Sequence, residues 1–151
     1  MDTAVLSYSE LFRGVGIAAS LGLAALGSCI GAWIVGSATI GAWKKCFIQN
    51  KPASFLLIAF AGQPLSNVIY GFITMNALAG STSLTPGQLM FTGIFAGIGI
   101  GGACIAQCFC AACASEALGE TGQGFGNYIM VIGICETIAL FMMVFSMMFA
   151  G

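Results

Sequence analysis

Four apolar stretches, each long enough to cross a bilayer as a helix, constrain this chain more than any other feature of its sequence. They run from about residue 11 to 40, 53 to 79, 88 to 118 and 125 to 150, with polar breaks at 43–52, 80–87 and 119–124. A spanning helix needs about 20 predominantly apolar residues. Inside lipid a segment must satisfy its own backbone, which makes these stretches α-helices. The expected fold is an all-α membrane protein with four transmembrane helices. Composition agrees: of 151 residues 59% are hydrophobic and 6% charged, against about 25% charged in an average soluble domain. A net charge of −1 with no basic cluster argues against nucleic acid as a partner. The N-terminus, Met1-Asp2-Thr3-Ala4, lacks the basic region of a cleavable leader, and the first apolar run is a full span in length.

The helices alternate in bulk. The first carries Gly14, Gly16, Gly22, Gly27 and Gly31 among alanines and serines. The third has Gly93, Gly97 and Gly101 at a spacing of four, plus Gly99 and Gly102. Small residues at this density let helix backbones approach closely in lipid. The second and fourth are broader, with Phe55, Phe60, Tyr70 and Phe72 in one and Phe141, Met142, Met143 and Phe145 in the other. Slim helices would line a tight inner ring and broad ones its outside. Gly27-Ser28-Cys29-Ile30 also parallels Gly102-Ala103-Cys104-Ile105. The chain therefore reads as a duplicated helical hairpin, residues 1–80 and 81–151.

Lys44, Lys45 and Lys51, three of the four basic residues, lie in the first polar break. The positive-inside rule makes that loop cytoplasmic. Loops 41–52 and 119–124 are then cytoplasmic, and both termini and the 80–87 turn lie opposite; Arg13 stands outside this pattern. The seven cysteines sit mostly in apolar runs, unlike a disulfide framework. At about 100° per residue, Cys104 and Cys108 share one side of a helix while Cys110 and Cys113 fall on the other, so they read as packing residues. Gly97-Ile98-Gly99-Ile100-Gly101-Gly102 fits G-x-G-x-x-G. It lies within an apolar helix, without the preceding strand a dinucleotide site requires.

Glu136 is stranded mid-way through the last apolar run, with no Lys, Arg or His within a turn. An ionisable group at that depth costs several kcal/mol unless neutralised, which marks it as a functional-site candidate. A proton or a metal cation would satisfy it, and either points to ion transport. In the second run Gln63, Ser66, Asn67 and Tyr70 recur at i, i+3, i+4 and i+7, one helical face, beside Pro64. In the third, Gln107 is an amide among small and apolar residues. Counted at 1.5 Å per residue from the cytoplasmic ends, these levels agree to roughly 5 Å. A carboxylate, a hydroxyl, two amide oxygens and a carbonyl freed near Pro64 would make an all-oxygen cage with one negative charge. Hard cations prefer such ligands, and Na+ matches the single charge. Tyr70 would donate its hydroxyl hydrogen to the carboxylate. Thr137 would add a hydroxyl or bond back to its own helix.

These residues resemble a family: the proteolipid ring (c or K) subunit of rotary V-type ATPases, in its duplicated four-helix, sodium-type form. The resemblance covers nearly the whole chain and is most specific at Gln63-Pro64-Leu65-Ser66-Asn67-Val68-Ile69-Tyr70-Gly71, Ile105-Ala106-Gln107 and Glu136-Thr137. Sodium-translocating members carry Leu-Pro-Gly-Thr-Gln-Gly-Leu-Tyr-Gly, Ile-Ala-Gln and Glu-Thr in corresponding places. The resemblance implies that Glu136 carries Na+ (or H+), with Gln107, Ser66, Asn67 and the backbone carbonyl of Gln63 as ligands. Ser66 stands for Thr, Asn67 for the longer Gln, and Gln63 for Leu. In the first hairpin Leu65 falls where a second carboxylate would lie, which leaves one site per four helices. The resemblance further implies a homo-oligomeric ring in membrane lipid, working against a stator subunit and central-stalk subunits. Such a rotor is not an enzyme by itself; its turning is coupled to ATP hydrolysis or synthesis elsewhere in the complex.

The runner-up keeps the rotor and replaces Na+ by H+. A more distant rival is a small multidrug/proton antiporter, whose lone carboxylate is expected on the first helix among aromatic residues. Here Trp33 and Trp43 lie on that helix and the carboxylate on the fourth. A purely structural proteolipid would tolerate loss of Glu136.

Overall fold

The structure is a computed structural model that describes residues 2–151, with side chains from Ser7 onward. Of the N-terminal stretch read for a leader, Met1 and the side chains of residues 2–4 lie outside the described residues. Five helices follow in order: α1 (Asp2–Ile48), α2 (Leu57–Ala61), α3 (Pro64–Gly80), α4 (Pro86–Thr121) and α5 (Phe125–Ala150). With α2 and α3 counted as one broken span, the described residues hold four segments long and apolar enough to cross a membrane.

Helix α1 outruns its expected span of 11–40. Its 47 residues are about 70 Å long, more than twice a hydrocarbon core. Polar residues mark where a helix leaves lipid, but Trp43, Lys44 and Lys45 carry no backbone defect that would stop it. Termination comes at Asn50, which takes a left-handed conformation with φ 53°, one that Asn tolerates better than most residues. Lys51 N–H then closes the end on the Cys46 carbonyl at 2.9 Å. Helix α4 starts in a capping box between Thr85 and Gln88, with Pro86 in its first turn. It ends at Gly122, whose φ of 67° suits a residue without Cβ.

The second apolar run is broken at a point where hydropathy shows no boundary. Pro64 has no N–H to donate and its ring crowds the preceding turn. Gln63 N–H bonds Phe60 at 3.2 Å and Leu65 N–H bonds Gly62 at 3.2 Å, three residues back rather than four. The apolar run continues across this point, and the helix does not.

Helices α1 and α4 run parallel at close range. Gly16 faces Leu89 and Met90, Gly27 meets Gly101, and Gly31 faces Cys104 and Cys108. Thr39 and Ser115 share a buried hydrogen bond of 3.1 Å, and Lys45 pairs with Glu120 at 3.0 Å. Each pair is separated by some 75 positions, so the two slim helices keep one register along their length. A methyl group at Gly97 would lie 2.6 Å from the Ala19 carbonyl oxygen; only glycine permits this approach. The broad helices pack antiparallel on the slim ones: Gly71 of α3 sits against Ala24, and Met142 of α5 against Gly99.

Arg13, the basic residue outside the charge pattern, has a structural task. Its Nη2 donates to the carbonyls of Ala79 at 3.0 Å and Ser81 at 3.3 Å. Those acceptors close α3, where the negative end of the helix dipole favours a cation. At the same end Ser81 and Ser83 donate to the Ala150 carbonyl. The outward surface is apolar, with Trp33, Phe55, Leu65, Ile134 and Met148 each at least 70% exposed, as lipid or neighbouring copies require.

Candidate functional site

The break at Pro64 prepares the site. In a continuous helix the Ala59 carbonyl would accept from the Gln63 N–H, but that N–H has turned to Phe60. The Gln63 side chain takes its place, and Nε2 donates to the Ala59 carbonyl at 3.2 Å. This anchors the amide and leaves Oε1 pointing across to α4, where it accepts from Gln107 Nε2 at 3.0 Å.

Gln107 is the hub. It is fully buried on α4, between α3 and α5. Its Nε2 donates both to Gln63 Oε1 and, at 3.3 Å, to Glu136 Oε2 on α5. Its Oε1 accepts from Asn67 Nδ2 of α3 at 2.9 Å. Glu136, half-buried, receives a second and shorter bond, from the Tyr70 hydroxyl to Oε1 at 2.7 Å. Among the described residues no cationic side chain pairs with this carboxylate; the ion pair present is Lys45–Glu120, at the loop end.

Five of the residues picked from the sequence therefore meet: Gln63, Asn67, Tyr70, Gln107 and Glu136. Two assignments differ in detail, those of Ser66 and Gln63, while Thr137 takes the second of its two expected roles and bonds back to its own helix. Ser66 shares their face by spacing but bonds back to the Gln63 carbonyl at 3.0 Å, occupying one lone pair of the oxygen assigned as a ligand. Thr137 bonds the Ile134 carbonyl at 2.6 Å, on the exposed side of α5. Gln63, cast only for its backbone, contributes its side chain. The one-face spacing carried that signal, because it placed the Gln63 amide beside Asn67 and Tyr70.

One atom is left over. Asn67 Oδ1 is buried with no hydrogen-bond partner, which costs about 1–3 kcal/mol unless a donor or a cation meets it. The site thus offers carboxylate, amide and hydroxyl groups, one negative charge and an unused buried acceptor, and it has no nucleophile–base pair. By contrast the cleft of about 400 Å³ lined by Phe109, Cys110, Cys113, Tyr128, Val131 and Ile132 has an almost wholly apolar lining. Cys104 and Cys108 are buried against α1, and Cys110 lies 3.8 Å from Cys135.

Residues 89–149 match the family of the ATP synthase C subunit. That segment contains most of α4 and α5, and with them Gln107 and Glu136. It leaves out Gln63, Asn67 and Tyr70. No curated protein matches the chain.

Proposed function

From the similarity of its second hairpin to the ATP synthase C subunit, we propose that this integral membrane protein is a rotor subunit of a V-type ATPase or ATP synthase and carries Na+ on Glu136. The observation that carries the reading is the convergence of Glu136, Gln107, Asn67, Gln63 and Tyr70 from three helices around one carboxylate without a countercharge. The parallel register of α1 and α4 supports a duplicated hairpin, and Leu65, apolar and exposed, supports one site per four helices. Several copies form a ring, slim helices inward, with Glu136 on the broad side toward a stator subunit. In lipid the site stays filled and neutral. At the stator a cationic side chain of the partner displaces the ion, and half-channels on opposite sides load and release it. The end holding Lys45, Lys51 and Glu120 is cytoplasmic by its lysines and faces the central-stalk subunits; both termini and the 80–87 turn face the other side. The rotor turns; the catalytic subunits that hydrolyse or form ATP are separate.

H+ is the second reading, because no cationic side chain among the described residues pairs with Glu136 and a proton neutralises it as well as Na+ does. Carbodiimide labelling of Glu136 in the purified assembly separates the two. Slower labelling with sodium, but not with potassium at equal ionic strength and pH, supports Na+. Labelling that follows pH and ignores sodium leaves a proton rotor. Absence of labelling at Glu136 contradicts the rotor itself.

A further inference from the structure

We propose that the side-chain amide of Gln63 is a specificity-determining part of the cation site, supplying the oxygen that the short Asn67 cannot bring to the ion. The inference rests on the reading of Glu136 as a cation carrier and assigns the Gln63 side chain a role in it.

Three observations carry it. Gln63 Oε1 and Glu136 Oε2 converge on one nitrogen, Gln107 Nε2, at 3.0 and 3.3 Å. Two oxygens that close on a common donor define a place where positive charge is favoured. When the Gln107 amide turns its oxygen inward, that place has three oxygens around it, one of them charged, which suits a hard monovalent cation. Next, the amide is held in advance. Its Nε2 is bound to the Ala59 carbonyl, an acceptor freed only because Pro64 breaks the helix, so the oxygen's direction is fixed by the backbone defect. A preorganised ligand gives up little side-chain freedom on binding. Last, Asn67 is engaged elsewhere. Its Nδ2 donates to Gln107 Oε1 and its buried Oδ1 meets no donor. When the Gln107 amide turns, Asn67 turns with it and Oδ1 accepts from Gln107 Nε2, so Asn67 stays on Gln107 in both states. Asn67 therefore orients Gln107, while Gln63 reaches the carboxylate's neighbourhood from the same face of α3.

An apolar side chain at position 63 would remove the Oε1 that faces Gln107 and reopen the Ala59 carbonyl. The site would keep its carboxylate and its tyrosine bond but lose one oxygen of the cage.

The test is the sodium concentration that half-protects Glu136 from carbodiimide in purified assemblies of wild type, Gln63→Met and Gln63→Asn. Methionine keeps length and volume without the amide; asparagine keeps the amide but withdraws it by one methylene. Each variant is expected to raise the half-protecting concentration about tenfold, the effect of losing about 1.4 kcal/mol. Glu136 should still be labelled in both variants without sodium, because the carboxyl and its Tyr70 bond remain, so the effect is read in sodium protection. Half-protection within about twofold of wild type in whichever variant assembles overturns the proposal, since a tenfold effect is required. Wild type that is not protected by sodium at all overturns the cation reading, and this inference with it. Protection in wild type together with unaffected variants overturns this inference alone.

Discussion

Gly97→Ala tests the packing that sets the site's geometry. The added methyl would lie 2.6 Å from the Ala19 carbonyl oxygen, 2.9 Å from Leu23 Cβ and 3.1 Å from the Ser20 carbonyl oxygen. Two of these obstacles are backbone, so no rotamer change relieves them. Reaching an ordinary contact of 3.4 Å requires α1 and α4 to part by about 0.8 Å, an overpacking that costs about 1–3 kcal/mol. Alanine's better helix propensity offsets at most about 1 kcal/mol. Gly102→Ala is the matched control: same helix, same chemistry, and nothing within 4 Å of the new methyl. Unfolding of the purified chain in mixed micelles, followed by helicity against rising dodecyl sulfate, should show Gly97→Ala destabilised and Gly102→Ala unchanged or stabilised. The displacement also reaches the site. Helix α3 is held on α1 through Gly71 and Ala24, so moving α4 lengthens the 2.9 Å bond between Asn67 and Gln107. Sodium protection of Glu136 should weaken in step. Equal stability of the two alanine variants would refute close backbone packing of α1 on α4.

Tyr70→Phe removes the 2.7 Å bond to Glu136, and a hydrogen bond to a charged group contributes about 1.5–3 kcal/mol. At least about a tenfold rise in the half-protecting sodium concentration is expected; no change would mean that Gln107 alone positions the carboxylate. Arg13→Ala frees the carbonyls of Ala79 and Ser81. Hydrogen exchange at the end of α3 should quicken by about tenfold, the loss of about one charge-assisted hydrogen bond, while exchange around Asn67 is unaffected; uniform exchange along α3 would show that Arg13 does not cap it.

The four spans were legible because length and apolarity alone decide whether a segment can cross a bilayer. The bounds of α5 were readable approximately, from the apolar run of about 125–150 and the glycine before it, Gly124, which takes φ 87°. Those of α1 were not, because hydropathy reports where lipid ends and the helix continues until Asn50. Pro64 was visible as a defect, but its consequence depends on which way one amide turns. The spacing of 63, 66, 67 and 70 pointed a polar face at α4 and α5. It did not separate Asn67, which reaches Gln107, from Ser66, whose hydroxyl finds its own backbone first; short hydroxyl side chains have that local alternative in any helix. Arg13 looked like an exception to the charge rule because its acceptors lie 66 and 68 positions away. Separations of that size leave no local trace in a sequence.

The most direct measurement is equilibrium binding of radioactive sodium to purified assemblies of wild type and Glu136→Gln at neutral pH. A cation carried on Glu136 predicts one sodium per four-helix chain, competed by protons and lost in Glu136→Gln. Sodium that still binds stoichiometrically without the carboxylate, or wild type that binds none, would contradict it.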